Sequence, residues 1–152
     1  MIKDNVSHAL ETLKRVLAEI DWATGADEKG TSYRVDFGPP HVPVSDVVVS
    51  IDPDAECFLF LANFAPSTRA ERRDDVARYI TRANWELVLG NFEMNYDDGE
   101  VRFRSSVDFT GDELKDTTLR RAILTAMEIV EAHAEALSAV IEGKATHEPI
   151  DD

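Results

Sequence analysis

Residues 57–64 read Cys-Phe-Leu-Phe-Leu-Ala-Asn-Phe and are apolar at odd and even positions alike for most of their length. Successive side chains of a strand point to opposite faces of a sheet. A strand of this kind therefore carries apolar groups on both sides, and belongs in the middle of a sheet with cover on each face. Phe58, Phe60 and Phe64 fall on one face, Cys57, Leu59 and Leu61 on the other. The run is far too short to cross a bilayer. The rest of the chain has to supply its neighbours and its lids.

Ahead of it, Val6, Leu10, Leu13, Leu17 and Ile20 recur at spacings of 4, 3, 4 and 3, the stripe of an amphipathic helix. That predicts a helix over about 5–21, capped by Asp4 or Asn5. Thr24 to Thr31 reads as a polar loop with glycines. Tyr33, Val35 and Phe37 alternate with Arg34 and Asp36, a half-buried strand; Gly38 to Pro43 is a stiff break, because proline lacks the ladder donor. Val47, Val49 and Ile51 give a second strand, and Asp52-Pro53-Asp54 turns the chain into the apolar run.

Beyond that run, Thr68-Arg69-Ala70-Glu71 fits a capping box and opens a second helix, with Val76, Tyr79, Ile80 and Ala83 on its apolar face and Asn84 at its end. Phe92, Met94 and Tyr96 return to period two, Asp97-Asp98-Gly99-Glu100 turns, and Val101, Phe103, Val107 and Phe109 come back, a hairpin whose Asp-Gly supplies positive φ. A third helix starts between Asp112 and Thr117, carries Leu119, Ile123, Met127, Val130, Ala134, Leu137 and Ile141, and stops at Gly143, a C-cap glycine. The reading is one α+β domain over 1–143, α-β-β-β-α-β-β-α, with a five-stranded antiparallel sheet packed by helices and a flexible tail over 144–152.

Composition narrows the partners. With 152 residues a chain buries roughly 68–70% of its unfolded surface, enough for a core without staples. The net charge of −14 repels phosphate backbones and anionic membranes, so neither nucleic acid nor membrane is an expected partner. One cysteine, Cys57, forms no intrachain disulfide and suits a reducing compartment. Set in an apolar run it reads as a buried structural thiol. The N-terminus leads into a charged amphipathic stretch without a signal-peptide core, and a cytoplasmic location follows as the expectation.

The stretch from Arg73 to Gly143 carries a resemblance. A helix ending at Ala83-Asn84, the link Leu87-Val88-Leu89-Gly90-Asn91-Phe92, the hairpin at Asp97-Asp98-Gly99, the strand Val101-Arg102-Phe103-Arg104 and a long closing helix resemble the YbjN-like family of bacterial proteins. That family is similar in fold to type III secretion chaperones, small acidic proteins with the same element order. The resemblance implies a homodimer that binds other proteins, and it supplies no catalytic motif. Some family members are labelled sensory transduction regulators. The chain departs from that resemblance at the proline-rich link Gly38 to Pro43.

Catalytic and metal motifs do not stand out. His8, His41, His133 and His147 have no partner at a zinc-ligand spacing; His8 and His133 read as surface residues, and His41 sits between prolines. The Asp97–Glu100 run lacks the ligand pattern of a calcium loop and is explained by a turn. No G-x-S-x-G, P-loop or dinucleotide fingerprint is present. No cofactor and no enzymatic activity are expected. Arg69, Arg72, Arg73, Arg78 and Arg82 form the one basic cluster, interleaved with Glu71, Asp74 and Asp75. It is either a salt-paired helix face, with Asp74 and Arg78 at i, i+4, or a docking patch for an acidic partner. Three helices do not obviously hide both faces of the sheet, and an uncovered apolar patch marks an interface. Phe58, Phe60 and Phe64, rimmed by Trp22 and Trp85, are the candidate partner-binding residues. The expected function is a non-enzymatic, chaperone-like or regulatory interaction module, self-associating and holding a partner protein. The alternative is a small-molecule-responsive regulator or enzyme with a pocket between the sheet and the C-terminal helix.

Overall fold

The computed structural model describes residues 2–22, 24–35 and 44–144. The elements are α1 (Asp4–Glu19), β1 (Thr24–Ala26), β2 (Ser32–Val35), β3 (Val44–Asp52), β4 (Cys57–Phe64), a 3-10 turn (Ala70–Arg72), α2 (Arg73–Glu86), β5 (Asn91–Met94), β6 (Val101–Asp108) and α3 (Asp116–Ile141). They build one antiparallel sheet in the order β1-β2-β3-β4-β6-β5. The doubly apolar strand is central, between β3 and β6, as its side chains require.

Among the described residues the sheet has six strands, not the expected five. The extra one, β1, comes from the stretch read as a polar loop. Asp27 accepts hydrogen bonds from the Thr31 and Ser32 amides, and Gly30 takes φ +68°. That tight turn folds Thr24–Ala26 back against β2. Three residues around a glycine leave no period to read. Phe37, the break over 38–43 and His41 lie outside the described residues, as do His147 and the tail beyond 144.

Two caps also differ from expectation. Lys3, not Asp4 or Asn5, is the N-cap of α1, and it makes no side-chain cap bond. The Asn5 amide donates instead to Glu56 at 2.6 Å. Thr68 does not close a capping box: its hydroxyl is buried without a partner, and α2 begins only at Arg73 after the 3-10 turn. The Thr68 main chain is engaged elsewhere, its amide donating to Gly99 O and its carbonyl accepting from Arg73 Nε. A tertiary contact overrides the local motif. Gly143 is positioned as expected past the end of α3, at φ +75°.

All three helices pack on one face of the sheet. Val47, Val49 and Ile51 of β3, Phe58, Phe60, Ala62 and Phe64 of β4, and Val101 and Phe103 of β6 point under them. Phe103 is an aromatic hub, with ring centres 6.2 Å from Phe60 and 5.1 Å from Phe92 in edge-to-face contacts, the arrangement that aromatic quadrupoles favour. Glu56, at φ +50°, pins the layers at one end. Its carboxylate accepts from Lys3 Nζ at 2.7 Å, from Asn5 and from the Gly111 amide, while its carbonyl accepts from Phe109. The start of α1, the β3–β4 turn and the loop before α3 meet on that one side chain.

Candidate functional site

The chosen phenylalanines are core residues. Phe58 and Phe60 are fully buried and Phe64 nearly so, because they occupy the sheet face that the helices cover. They offer nothing to a partner of the folded chain, and the partner-binding expectation for them is corrected. Trp22 is half-buried and packs against the same core. Only Trp85 stands out, 87% exposed.

On the opposite face the alternation brings Arg34, Val48, Leu61 and Arg104 into one cross-strand row, and Ser50, Leu59 and Ser106 into the next. Val48, Leu59 and Leu61 are half-buried there. They form a short apolar stripe framed by charge: Arg34 lies 3.8 Å from Asp46, and Arg102 and Arg104 both reach Glu93. This face is half polar, and the idea that two apolar sheet faces overwhelm three helices does not survive it. Cys57 sits at its end, half-buried. Burial, then Asp108 and Asp52, push its thiol pKa up, which keeps it protonated and unreactive.

Exposed large apolar side chains gather where α2 runs into β5, while Ile2, Tyr96 and Leu124 are exposed singly elsewhere. Trp85, Val88 (96% exposed) and Leu89 crowd five residues of chain. In the sequence Trp85 flanks a helix end, and Val88 and Leu89 fall in the link that follows it. The signal was present: Leu87-Val88-Leu89 is an apolar triplet in a connection, where nothing periodic requires one.

Beside this link runs a groove of about 330 Å³ between β6 and the first half of α3, lined by Ser105, Ser106 and Val107, by Thr118 and Arg121, and by Leu89 of the link. It exists because β5 is short. The β5–β6 ladder runs from Met94↔Val101 to Asn91↔Arg104 and stops. Gly90, at φ +74°, then turns the chain away; a Cβ there would meet the Phe103 ring at 2.4 Å and the Arg104 carbonyl at 3.0 Å. The Arg104 carbonyl thus faces the β5 side. Main-chain groups alternate along a strand, so those of Ser106 and Asp108 face the same side, past the last residue that β5 pairs.

The arginine cluster divides. Arg69 lies 3.4 Å from Glu71 and Arg72 2.8 Å from Asp75. Arg73 is structural, donating to the carbonyls of Thr68, Tyr96 and Asp97 and so tying α2 to the hairpin turn. Arg78 and Arg82 are exposed on α2. His133 is not a surface residue. It is half-buried, with Nδ1 2.7 Å from the Tyr79 hydroxyl and its ring against Phe92. Burial pushes the Tyr79 hydroxyl up to about 12, so it stays neutral. Among the described residues no three His, Cys, Asp or Glu side chains are grouped to hold a metal ion, and no helix is long and apolar enough to cross a membrane.

Comparison with known proteins places this geometry. The profile of a family named YbjN and described as "Putative bacterial sensory transduction regulator" matches residues 9–139. No curated protein matches the chain by sequence. Among solved structures, YbjN from E. coli superposes with a TM-score of 0.65 at 15% identity, over 88% of this chain and 92% of that one. A HopA1–SchA chaperone–effector complex gives 0.60 at 11% identity, over 89% and 99%. An ExsC–ExsE complex gives 0.55 at 12% identity, over 89% and 97%. At these identities the likeness is one of fold.

Proposed function

The chain belongs to the YbjN family, and from that premise we propose that it is a non-enzymatic protein-interaction module, chaperone-like or regulatory, that pairs with a second copy and holds a partner protein. The observation that carries the reading is the exposure of Trp85, Val88 and Leu89 within five residues of chain. Exposed apolar side chains grouped in this way mark interfaces, and tryptophan is the residue most enriched at their energetic centres. Burying one Val or Leu side chain is worth roughly 1.5–3 kcal/mol, so leaving this group in water is costly unless something covers it. The likeness in fold to the HopA1–SchA and ExsC–ExsE complexes supports a role in holding proteins. The acidic exterior supports a cytoplasmic assembly that avoids nucleic acid and membranes. The test is light scattering on a sizing column across micromolar concentrations. The native chain is expected to run as a dimer. Trp85→Asp combined with Val88→Asp is expected to run as a monomer, with an unchanged urea midpoint because neither side chain supports the core. A native chain that stays monomeric at every concentration sinks the homodimer.

The second reading, a regulator or enzyme with a small-molecule pocket, is favoured by one observation: a groove does lie between the sheet and the C-terminal helix. A metabolite that raises the melting temperature, and loses that effect in Arg121→Glu, would support it.

A further inference from the structure

The β6 edge past Arg104 combines an unpaired strand backbone with a lining that attracts anions. Of the two main-chain edges at this end of the sheet, the outer one on β5 is covered at Phe92. The Asn84 carboxamide donates to Phe92 O at 2.9 Å and accepts from Phe92 N at 2.8 Å, standing in for a further strand. The edge at Ser106 and Asp108 has no such cover among the described residues. Ser105, only 8% exposed, lines the groove with no hydrogen-bond partner for its hydroxyl among them. The lining holds one cation, Arg121, and no carboxylate. In a chain of net charge −14 such a spot is unusual, and Arg121 has no carboxylate partner among the described residues.

From these observations we infer that the groove takes an extended peptide segment of a partner protein, which adds as a strand beside β6 and sets an acidic side chain against Arg121. The inference rests on the protein-interaction reading above and names the chemistry of the partner. Strand addition draws affinity from main-chain hydrogen bonds and specificity from alternate side chains. Residues 105–108 offer about 13 Å of ladder at 3.3 Å per residue, in the line that β5 would follow if it did not turn at Gly90. Guest side chains on the helix side meet Val107, Ala122 and Leu89, which suit β-branched residues. The hydroxyls of Ser105 and Thr118 and the Arg121 guanidinium suit a carboxylate.

A phage-displayed library of random seven-residue peptides, panned against the full chain, tests the inference; the enriched peptide is then titrated by fluorescence anisotropy. The expected winners carry Asp or Glu among β-branched residues and lack proline. Their binding protects the Ser106 and Asp108 amides from hydrogen exchange. Arg121→Glu, on an exposed helix surface, weakens binding about tenfold or more, the scale of one lost charge-assisted contact. Ser106→Pro removes a donor that faces no strand in the free chain, a position where proline is tolerated, and weakens it as much with the melting temperature held. No enrichment over blank, winners without acidic bias, or binding indifferent to both substitutions overturns the inference. Light scattering on the same samples separates the readings: a dimer that selects no peptide sinks the groove alone, and a monomer that selects none sinks both.

Discussion

Glu56 shows how one side chain is recruited from three directions. Hydrogen bonds from Lys3, Asn5 and the Gly111 amide, in that order of weight, hold its carboxyl at about 2, against an ordinary 4.5. A carboxyl whose pKa falls on folding stabilises the folded state above its unfolded pKa and loses that contribution as pH drops through the folded one. Glu56→Gln is therefore expected to lower the urea midpoint at pH 7. The gap from the native chain should shrink below about pH 4.5 and close near pH 2, which a urea titration at several pH values checks. Gly99 makes a second residue-scale case. At φ +80°, an added Cβ would stand 1.9 Å from the Thr68 carbonyl. Gly111 has a like φ of +71° but open space around it. Gly111→Ala should cost about 1–2 kcal/mol for the left-handed backbone alone. Gly99→Ala should exceed it, because backbone has to move as well; thermal melts of the two variants order them.

At the scale of elements, the lesson of α2 is that its end serves a neighbour. Asn84, expected to end α2, lies inside a helix that runs on to Glu86, and its carboxamide brackets Phe92 on β5, a contact eight residues away that no local period announces. Removing both bonds with Asn84→Ala should cost about 1–3 kcal/mol, since the freed main-chain groups lose their partners. It should also raise self-association, because an uncovered edge strand templates pairing with another chain. Chemical denaturation reads the first effect and concentration-dependent light scattering the second. The Thr68 capping box failed for a related reason. The motif was present, but the Gly99 turn claimed the Thr68 backbone, and tertiary hydrogen bonds outweighed a cap worth about 1 kcal/mol.

For the whole molecule, the decisive asymmetry is that the helices cover one sheet face and leave the other. Leu59 and Phe60 are neighbours on β4 of similar apolarity, and only the second is fully buried. Phe60→Ala is expected to cost about 3–5 kcal/mol, the range for truncating a large buried aromatic. Leu59→Ala should fall below the 2–5 kcal/mol of a buried leucine; urea midpoints for the pair test the assignment of faces. The same asymmetry moves the candidate interaction surface. Apolar excess on β4 pointed to the sheet, whereas the exposed group is at the α2–β5 link, with Trp85 the one residue common to both.

The order of helices and longer strands, the central place of β4, the Asp-Gly hairpin and the glycine stop of α3 follow from the sequence alone. Each rests on a period or a turn chemistry that acts over a few neighbouring residues. Which face of β4 lies under the helices, where β5 stops, and that Asn84, Thr68 and Asn5 serve distant partners were decided by the tertiary structure. Those outcomes depend on which backbone groups and side chains are left unpaired once the layers have packed, and groups far apart in the chain compete for them. The β6 edge beside Arg121 is a product of that competition, since it opens only because the chain turns away at Gly90.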